Sequence, residues 1–358
     1  MGPVKRSLFS CLYQYIHFLM ILWVKCWGRP GMESWIRFAE KGLSGIRKAY
    51  GGSALLSFPR PDSLRTSCYD LVFPSPLIFA AFKDQLDVIE FWINLGMGGG
   101  CIKTILATPH EGNPYPRLQP VSINGQAHLI NALGLPGKGV KGLQEALTAR
   151  SFLQHQHVPI GISIGGRSVD EYIQVATEMN EWLKTQPSTQ VYFEINISCP
   201  NIAKGKSLAQ QVDVLDGLLK AIRAVTDRVI FVKVSPDESD AQLCKIAETL
   251  QLFPKMGINA GNTQYRTCTS LGLADQAISV GGGGLSGPSL FKRTYEVVQL
   301  LSNYQLPIIA TGGISKIEDI IQLKEAGALL FGMATQLVMD PFCIPKLNQQ
   351  LSQVKKNV

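Results

Sequence analysis

Along most of this chain, short apolar runs alternate with longer stretches in which apolar residues recur every three or four positions. The runs are PLIFAAF (76–82), GCIKTIL (100–106), PIGISIG (159–165), VYFEINI (191–197), VIFVKV (229–234), GINAG (257–261), PIIATGG (307–313) and ALLFGM (328–333), each bounded by turn residues. Runs of this kind predict buried strands. Between them Leu215, Leu218, Leu219, Ile222 and Val225 share one helical face, and DAQLCKIAETLQ (240–251), FKRTYEVVQLLSNY (291–304) and IEDIIQLKEAGA (317–328) repeat that pattern. A closing helix is expected over 344–354. Eight strand and helix alternations predict an α/β fold, a closed (β/α)8 TIM barrel over 76–358, with an open doubly wound sheet as the alternative.

Upstream the pattern changes. Residues 7–24 carry no formal charge, and LFSCLYQYIHFLMILWV (8–24) is aliphatic and aromatic, broken by Gln14 and His17. The run is slightly short of the roughly 20 residues a spanning helix needs, and no small-residue cleavage site follows it. Residues 1–30 therefore read as a membrane anchor or as an amphipathic helix on a membrane surface. Arg29, Arg37, Lys41, Arg47 and Lys48 come next and would keep the remainder on the cytoplasmic face. Residues 31–75 read as a helical extension and linker: in SWIRFAEKGLSGIRKAY (34–50) Trp35, Phe38, Leu43 and Ile46 share a face, and a Pro/Ser-rich stretch follows.

Composition narrows the function classes. The formal charge of +7 is spread along 358 residues, which suits anionic small molecules and argues against nucleic acid. The eight cysteines form no CxxC pair, so neither a zinc ribbon, an iron–sulfur cluster nor a disulfide framework is expected, and a cytoplasmic, reducing compartment is. His155 and His157 form the only close histidine pair, in a polar stretch that reads as surface rather than metal site.

Candidate chemistry collects at the strand tips. FEINISCPN (193–201) ends a strand on Cys199 and Pro200, and proline cannot continue the ladder, so the chain must turn there. Lys103 and Lys233 interrupt apolar runs, and a lysine inside a barrel strand is expected to meet a polar ligand at the barrel mouth. A cation there would stabilise the negative charge that develops on a reduced flavin. Gly312 and Gly313 after the seventh strand, Ala334 and Thr335 after the eighth, and GGGGLSG (281–287) ahead of a helix offer backbone N–H groups to a phosphate. Asn131, Asn196, Asn201, Asn262 and the adjoining Thr263 sit at strand exits, where amides read a flat ring of alternating carbonyl and N–H groups.

In chain order, EGNPYPR (111–117), NALGLPG (131–137), NISCPN (196–201), GGLSG (283–287) and TGGI (311–314) resemble the flavin-dependent dihydroorotate dehydrogenases, over about 76–345. The resemblance implies an FMN enzyme of pyrimidine biosynthesis that oxidises dihydroorotate to orotate. Cys199 would take the C5 proton while the C6 hydride passes to the flavin N5. A thiol, with an ordinary pKa of about 8.5, suits that role. Asn131, Asn196, Asn201, Asn262 and Thr263 would hold the substrate, and Ala81, Lys103, Lys233, Gly287, Gly312, Gly313, Ala334 and Thr335 the cofactor.

Within that family a soluble class has a cysteine base and uses fumarate or NAD, and a membrane class has a serine base and uses quinone. Cys199, Lys103 and Ser163 resemble the first class and the apolar N-terminus resembles the second, so all three acceptors, membrane association and a homodimer stay open. Phe82 stands where the family has glycine and is expected at the flavin edge; Ile105 stands where it has a hydroxyl. The alternatives are an FMN oxidoreductase for another dihydropyrimidine, a phosphate-binding barrel lyase with Lys233 as Schiff-base amine, and a ligand-binding paralogue without turnover.

Overall fold

The computed structural model describes residues 57–186, 190–198 and 208–354, together with Ser10, Cys11, Gln14, Tyr15, Glu33 and Ile36. Most of the apolar run 8–24 and of the helix expected over 34–50 lies outside the described residues, as do Cys199 and Asn201. Among the described residues no helix is long and apolar enough to cross a membrane.

In chain order the strands are β1 (Thr66–Cys68), β2 (Leu71–Phe73), β3 (Leu77–Phe79), β4 (Gly100–Ile105), β5 (Leu118–Ile123), β6 (Gln126–Asn131), β7 (Ile160–Ile164), β8 (Val191–Asn196), β9 (Ile230–Val234), β10 (Met256–Ala260), β11 (Gln264–Thr267), β12 (Gly282–Ser286), β13 (Ile308–Thr311) and β14 (Leu330–Met333). Eight of them, β3, β4, β7, β8, β9, β10, β13 and β14, close into a barrel in which β14 pairs in parallel with β3. They coincide with the eight apolar runs, and the doubly wound alternative is excluded by the closure. Helices cover the outside. Val212–Val225 buries Leu215, Leu218, Leu219 and Ile222, the face its periodicity marks, and Ser168 and Ser239 cap the helices Val169–Lys184 and Asp240–Gln251 by accepting the N–H of Glu171 and Gln242. The closing helix spans Cys343–Val354.

One end of the barrel is plugged. The β1–β2 hairpin lies in the stretch read as a linker, yet Cys68, Leu71 and Phe73 are buried in one cluster with Ile78, Cys101, Tyr192, Phe231, Ile309 and Leu330 of the barrel. The Tyr69 hydroxyl donates to the carbonyl of Met256, at the start of β10, at 2.8 Å. The hairpin thus seals the N-terminal ends of the strands and leaves the C-terminal ends for chemistry. Phe73 is fully buried against Tyr192, at a ring separation of 6.2 Å. Phe73→Ala is expected to cost about 3–5 kcal/mol of stability, the usual penalty for such a cavity, measured by denaturant unfolding.

Above the open end sits a four-stranded antiparallel sheet in the order β11-β12-β6-β5, which the periodicity did not predict. GGGGLSG, expected to be a loop before a helix, supplies β12, which pairs with β6 and β11. Its glycines are there for clearance: a Cβ on Gly284 would lie 2.0 Å from the Thr263 hydroxyl. The β5–β6 hairpin carried a legible signal, since Asn124 and Gly125 both have positive φ, as an Asn-Gly turn requires.

Candidate active site

The C-terminal strand ends and the four-stranded sheet enclose a cavity of about 1000 Å³. Every described residue assigned from the sequence to substrate or cofactor lines it. Asn131, Asn196, Asn262 and Thr263 do so, and so do Ala81, Lys103, Lys233, Gly287, Gly312, Gly313, Ala334 and Thr335. Cys199 and Asn201 lie outside the described residues, but Ser198, the residue before Cys199, lines the same cavity. Its hydroxyl donates to the carbonyl of Lys233 at 3.3 Å.

A bulge sorts the side chains of β4. Its register against β7 shifts between Ile102 and Ile105, so the simple alternation that would put Lys103 and Ile105 on one face fails. Ile105 instead packs into the core with Ile102, and Thr104 turns inward, 2.9 Å from the Ser163 hydroxyl. Thr104 also accepts the Asn196 amide at 3.0 Å. The hydroxyl that β4 presents to the cavity is thus that of Thr104, not of residue 105. The Lys103 ammonium donates to the carbonyl of Pro136 at 2.6 Å, and burial holds it below the usual lysine range, with Asp84 pulling the other way. Phe82 lines the cavity while its ring stacks on Trp92, centroids 5.2 Å apart.

Below the cavity lining the barrel interior holds buried polar groups. Glu194 accepts the Asn259 amide at 2.7 Å, and its second oxygen has no partner among the described residues. Cys101, beside it, is held protonated: burial and then the Glu194 charge push its thiol well above the ordinary range, against the pull of Lys233. The Lys233 ammonium has no hydrogen-bond acceptor among the described residues and faces the cavity.

These residues fit a flavin phosphate ester. The backbone N–H groups of Gly312, Gly313, Ala334 and Thr335 find no acceptor among the described residues, and neither does the buried Thr311 hydroxyl between them. Free donors gathered at the ends of β13 and β14 are what an anion requires. Among the described residues no three His, Cys, Asp or Glu side chains gather to hold a metal ion.

Residues 63–354 match the family model described as dihydroorotate dehydrogenase. The chain belongs to the dihydroorotate dehydrogenase family. It is 33% identical over 340 residues to a dihydroorotate dehydrogenase (quinone) of Pseudarthrobacter chlorophenolicus, covering 88% of this chain and 94% of that protein. It is 29% identical over 263 residues to the catalytic subunit of a dihydroorotate dehydrogenase B (NAD(+)) of Bacillus pumilus, covering 72% and 80%. Among solved structures it is similar to the DHODH of Eimeria tenella in complex with ferulenol, with a TM-score of 0.71 at 21% identity over 89% of this chain and 92% of that one, which speaks for the fold.

For a dihydroorotate dehydrogenase family member, the EGNPYPR motif turns out to be a clamp. Buried Arg117 gives Nε to the Glu33 carboxylate at 2.8 Å, one terminal nitrogen to the carbonyls of Glu111 and Asn113, and the other to the Tyr115 hydroxyl. That fixes the loop from which Asn113 reaches the cavity, its amide donating to the carbonyl of Ala132 at 2.9 Å. Asn113, Thr104 and Ser198 were not singled out from the sequence. Asn113 sits inside a motif that was, whereas nothing local marks Thr104, whose inward turn depends on the bulge.

Proposed function

We propose that this protein oxidises dihydroorotate to orotate with FMN in the cavity, and hands the electrons to a quinone. The observation that carries the reading is the convergence on one cavity of lysines, amides and free backbone donors drawn from almost every barrel strand. FMN, when bound, supplies the two-electron acceptor for the hydride that leaves C6. The chain supplies the rest. Gly312, Gly313, Ala334 and Thr335 hold the phosphate, and Lys233 and Lys103 place positive charge beside the ring system. Asn131, Asn196, Asn201, Asn262 and Thr263 hold the pyrimidine ring and carboxylate. Asn196 is fixed by Thr104 and by the Ser198 N–H on its carbonyl oxygen at 3.4 Å, and it offers its remaining amide donor to the substrate. Cys199 takes the C5 proton.

The quinone assignment rests on the N-terminal side. Glu33 pairs with Arg117 on the Asn113 loop, and the Ser10 hydroxyl donates to Asp340 at 2.9 Å, one residue beyond Met339 of the cavity lining. The similarity to the quinone-type relative also covers more of the chain than that to the NAD-type relative. Anaerobic visible spectroscopy tests both steps. The purified protein is expected to be yellow, to bleach with dihydroorotate, and to recolour faster with a water-soluble quinone than with NAD or fumarate. A yellow protein that dihydroorotate does not bleach would move the substrate elsewhere, and a colourless one would remove the flavin.

A further inference from the structure

We propose that His128, which stands behind the cavity wall, is a positioning residue that holds the Gly287–Ser289 turn and through it the phosphate end of the cofactor site. This rests on the FMN reading above. His128 lies in β6 and is 1% exposed. The Ser289 N–H donates to its Nε2 at 3.1 Å, so Nε2 carries no proton. The proton is therefore on Nδ1, which donates to the carbonyl of Gln126 at 3.0 Å. Both ring nitrogens are committed, and the ring has one tautomer and one orientation.

The turn it holds is close-fitting. Gly287 has φ +131, and a Cβ there would lie 2.6 Å from Cδ2 of His128, so the backbone rests directly on the imidazole. The Leu290 N–H closes the turn onto the carbonyl of Gly287 at 3.1 Å. Gly287, Pro288 and Leu290 line the cavity on one side. On the other side the turn feeds the helix Phe291–Leu301, whose first turns bear on the free donors of β13: a Cβ on Gly313 would meet the Phe291 nitrogen at 2.3 Å, and one on Gly312 the Thr294 hydroxyl at 2.6 Å. A displacement of the turn at Ser289 therefore reaches both Gly287 and the Gly312–Gly313 pair. His128 touches none of the reacting atoms; it acts by supplying one acceptor to one backbone N–H.

The test separates the acceptor from the bulk of the ring. His128→Phe keeps a planar ring against Gly287 and removes the acceptor, whereas in His128→Gln the side-chain oxygen stands near the place of Nε2 and accepts the Ser289 N–H. The readout is the rate at which the purified holoenzyme releases FMN, followed by the recovery of free-flavin fluorescence. His128→Phe is expected to release FMN about tenfold faster, the low end of what one unsatisfied buried N–H costs, and His128→Gln to stay within about threefold of the parent. Release from His128→Phe at the parent rate overturns the proposal, and so does equal acceleration in both variants, which would make ring volume the cause. Should His128→Phe not fold, His128→Asn, whose oxygen stops short of Ser289, replaces it with the same two outcomes. A parent protein that purifies without FMN would instead defeat the reading beneath the proposal.

Discussion

Cys199→Ala is expected to give a protein that still binds FMN and still turns yellow, with turnover of dihydroorotate reduced ~10²–10⁴-fold, the usual worth of a positioned general base. The two halves of that expectation have different sources. Flavin retention should survive because the phosphate donors on β13 and β14 and the cations on β4 and β9 are separate from the loop after β8. Turnover should fall because Ser198, immediately before Cys199, is tied to the carbonyl of Lys233 and lines the cavity. Buried Cys101 cannot stand in: its thiol is held protonated below the cavity. Stopped-flow reduction of the flavin by dihydroorotate measures the effect without involving the acceptor. An unchanged reduction rate would take Cys199 out of the mechanism.

Lys233→Met should be the second severe change. Lys233 is buried, sits between Asn196 and Asn259 in the ladder, and has no acceptor among the described residues, so its charge is available to whatever fills the cavity. Methionine keeps the length of the stem and removes the charge. Loss of one preorganised donor of this kind commonly costs 10²–10³ in rate, and flavin reduction by dihydroorotate is expected to fall by about that factor. The same variant separates the redox reading from the lyase reading. An amine that forms a Schiff base would be trapped by borohydride in the parent and lost in Lys233→Met, whereas the redox reading expects no trapping in either. Retention of full flavin reduction in Lys233→Met would show that the ammonium is only a packed stem.

How much of this was legible before the structure differs from element to element. All eight barrel strands stand where the apolar runs are, because a strand buried on both faces must be apolar over its whole length and its ends must carry turn residues. The helix Val212–Val225 was legible for the analogous reason. Lysines inside such runs were informative too, since a charge in an apolar strand needs a polar place to go. The sheet over the barrel mouth was not legible in β12. Gly282–Ser286 has no alternation to read, and its glycines report clearance from Thr263 and Asn131, atoms brought near only by the fold. The hairpin at the barrel floor looked like a linker because Thr66–Cys68 and Leu71–Phe73 are each three residues long. Its burial comes from the barrel end it plugs.

The Thr104 case marks the division most sharply. The lysine in the apolar run of β4 was legible from residue types, whereas Thr104 was not singled out, because its inward turn follows from the register shift between Ile102 and Ile105. His128 is similar, an unremarkable residue in a polar strand until Ser289 is brought against it by the pairing of β6 with β12. Strand and helix positions and the glycines at the ends of β13 and β14 were properties of the chain read alone, because each depends on a residue's own chemistry and its near neighbours. Barrel closure through β14 and β3, the sheet over the barrel mouth, the inward turn of Thr104 and the contact of His128 with Ser289 were decided only in three dimensions, because each depends on a partner distant along the chain.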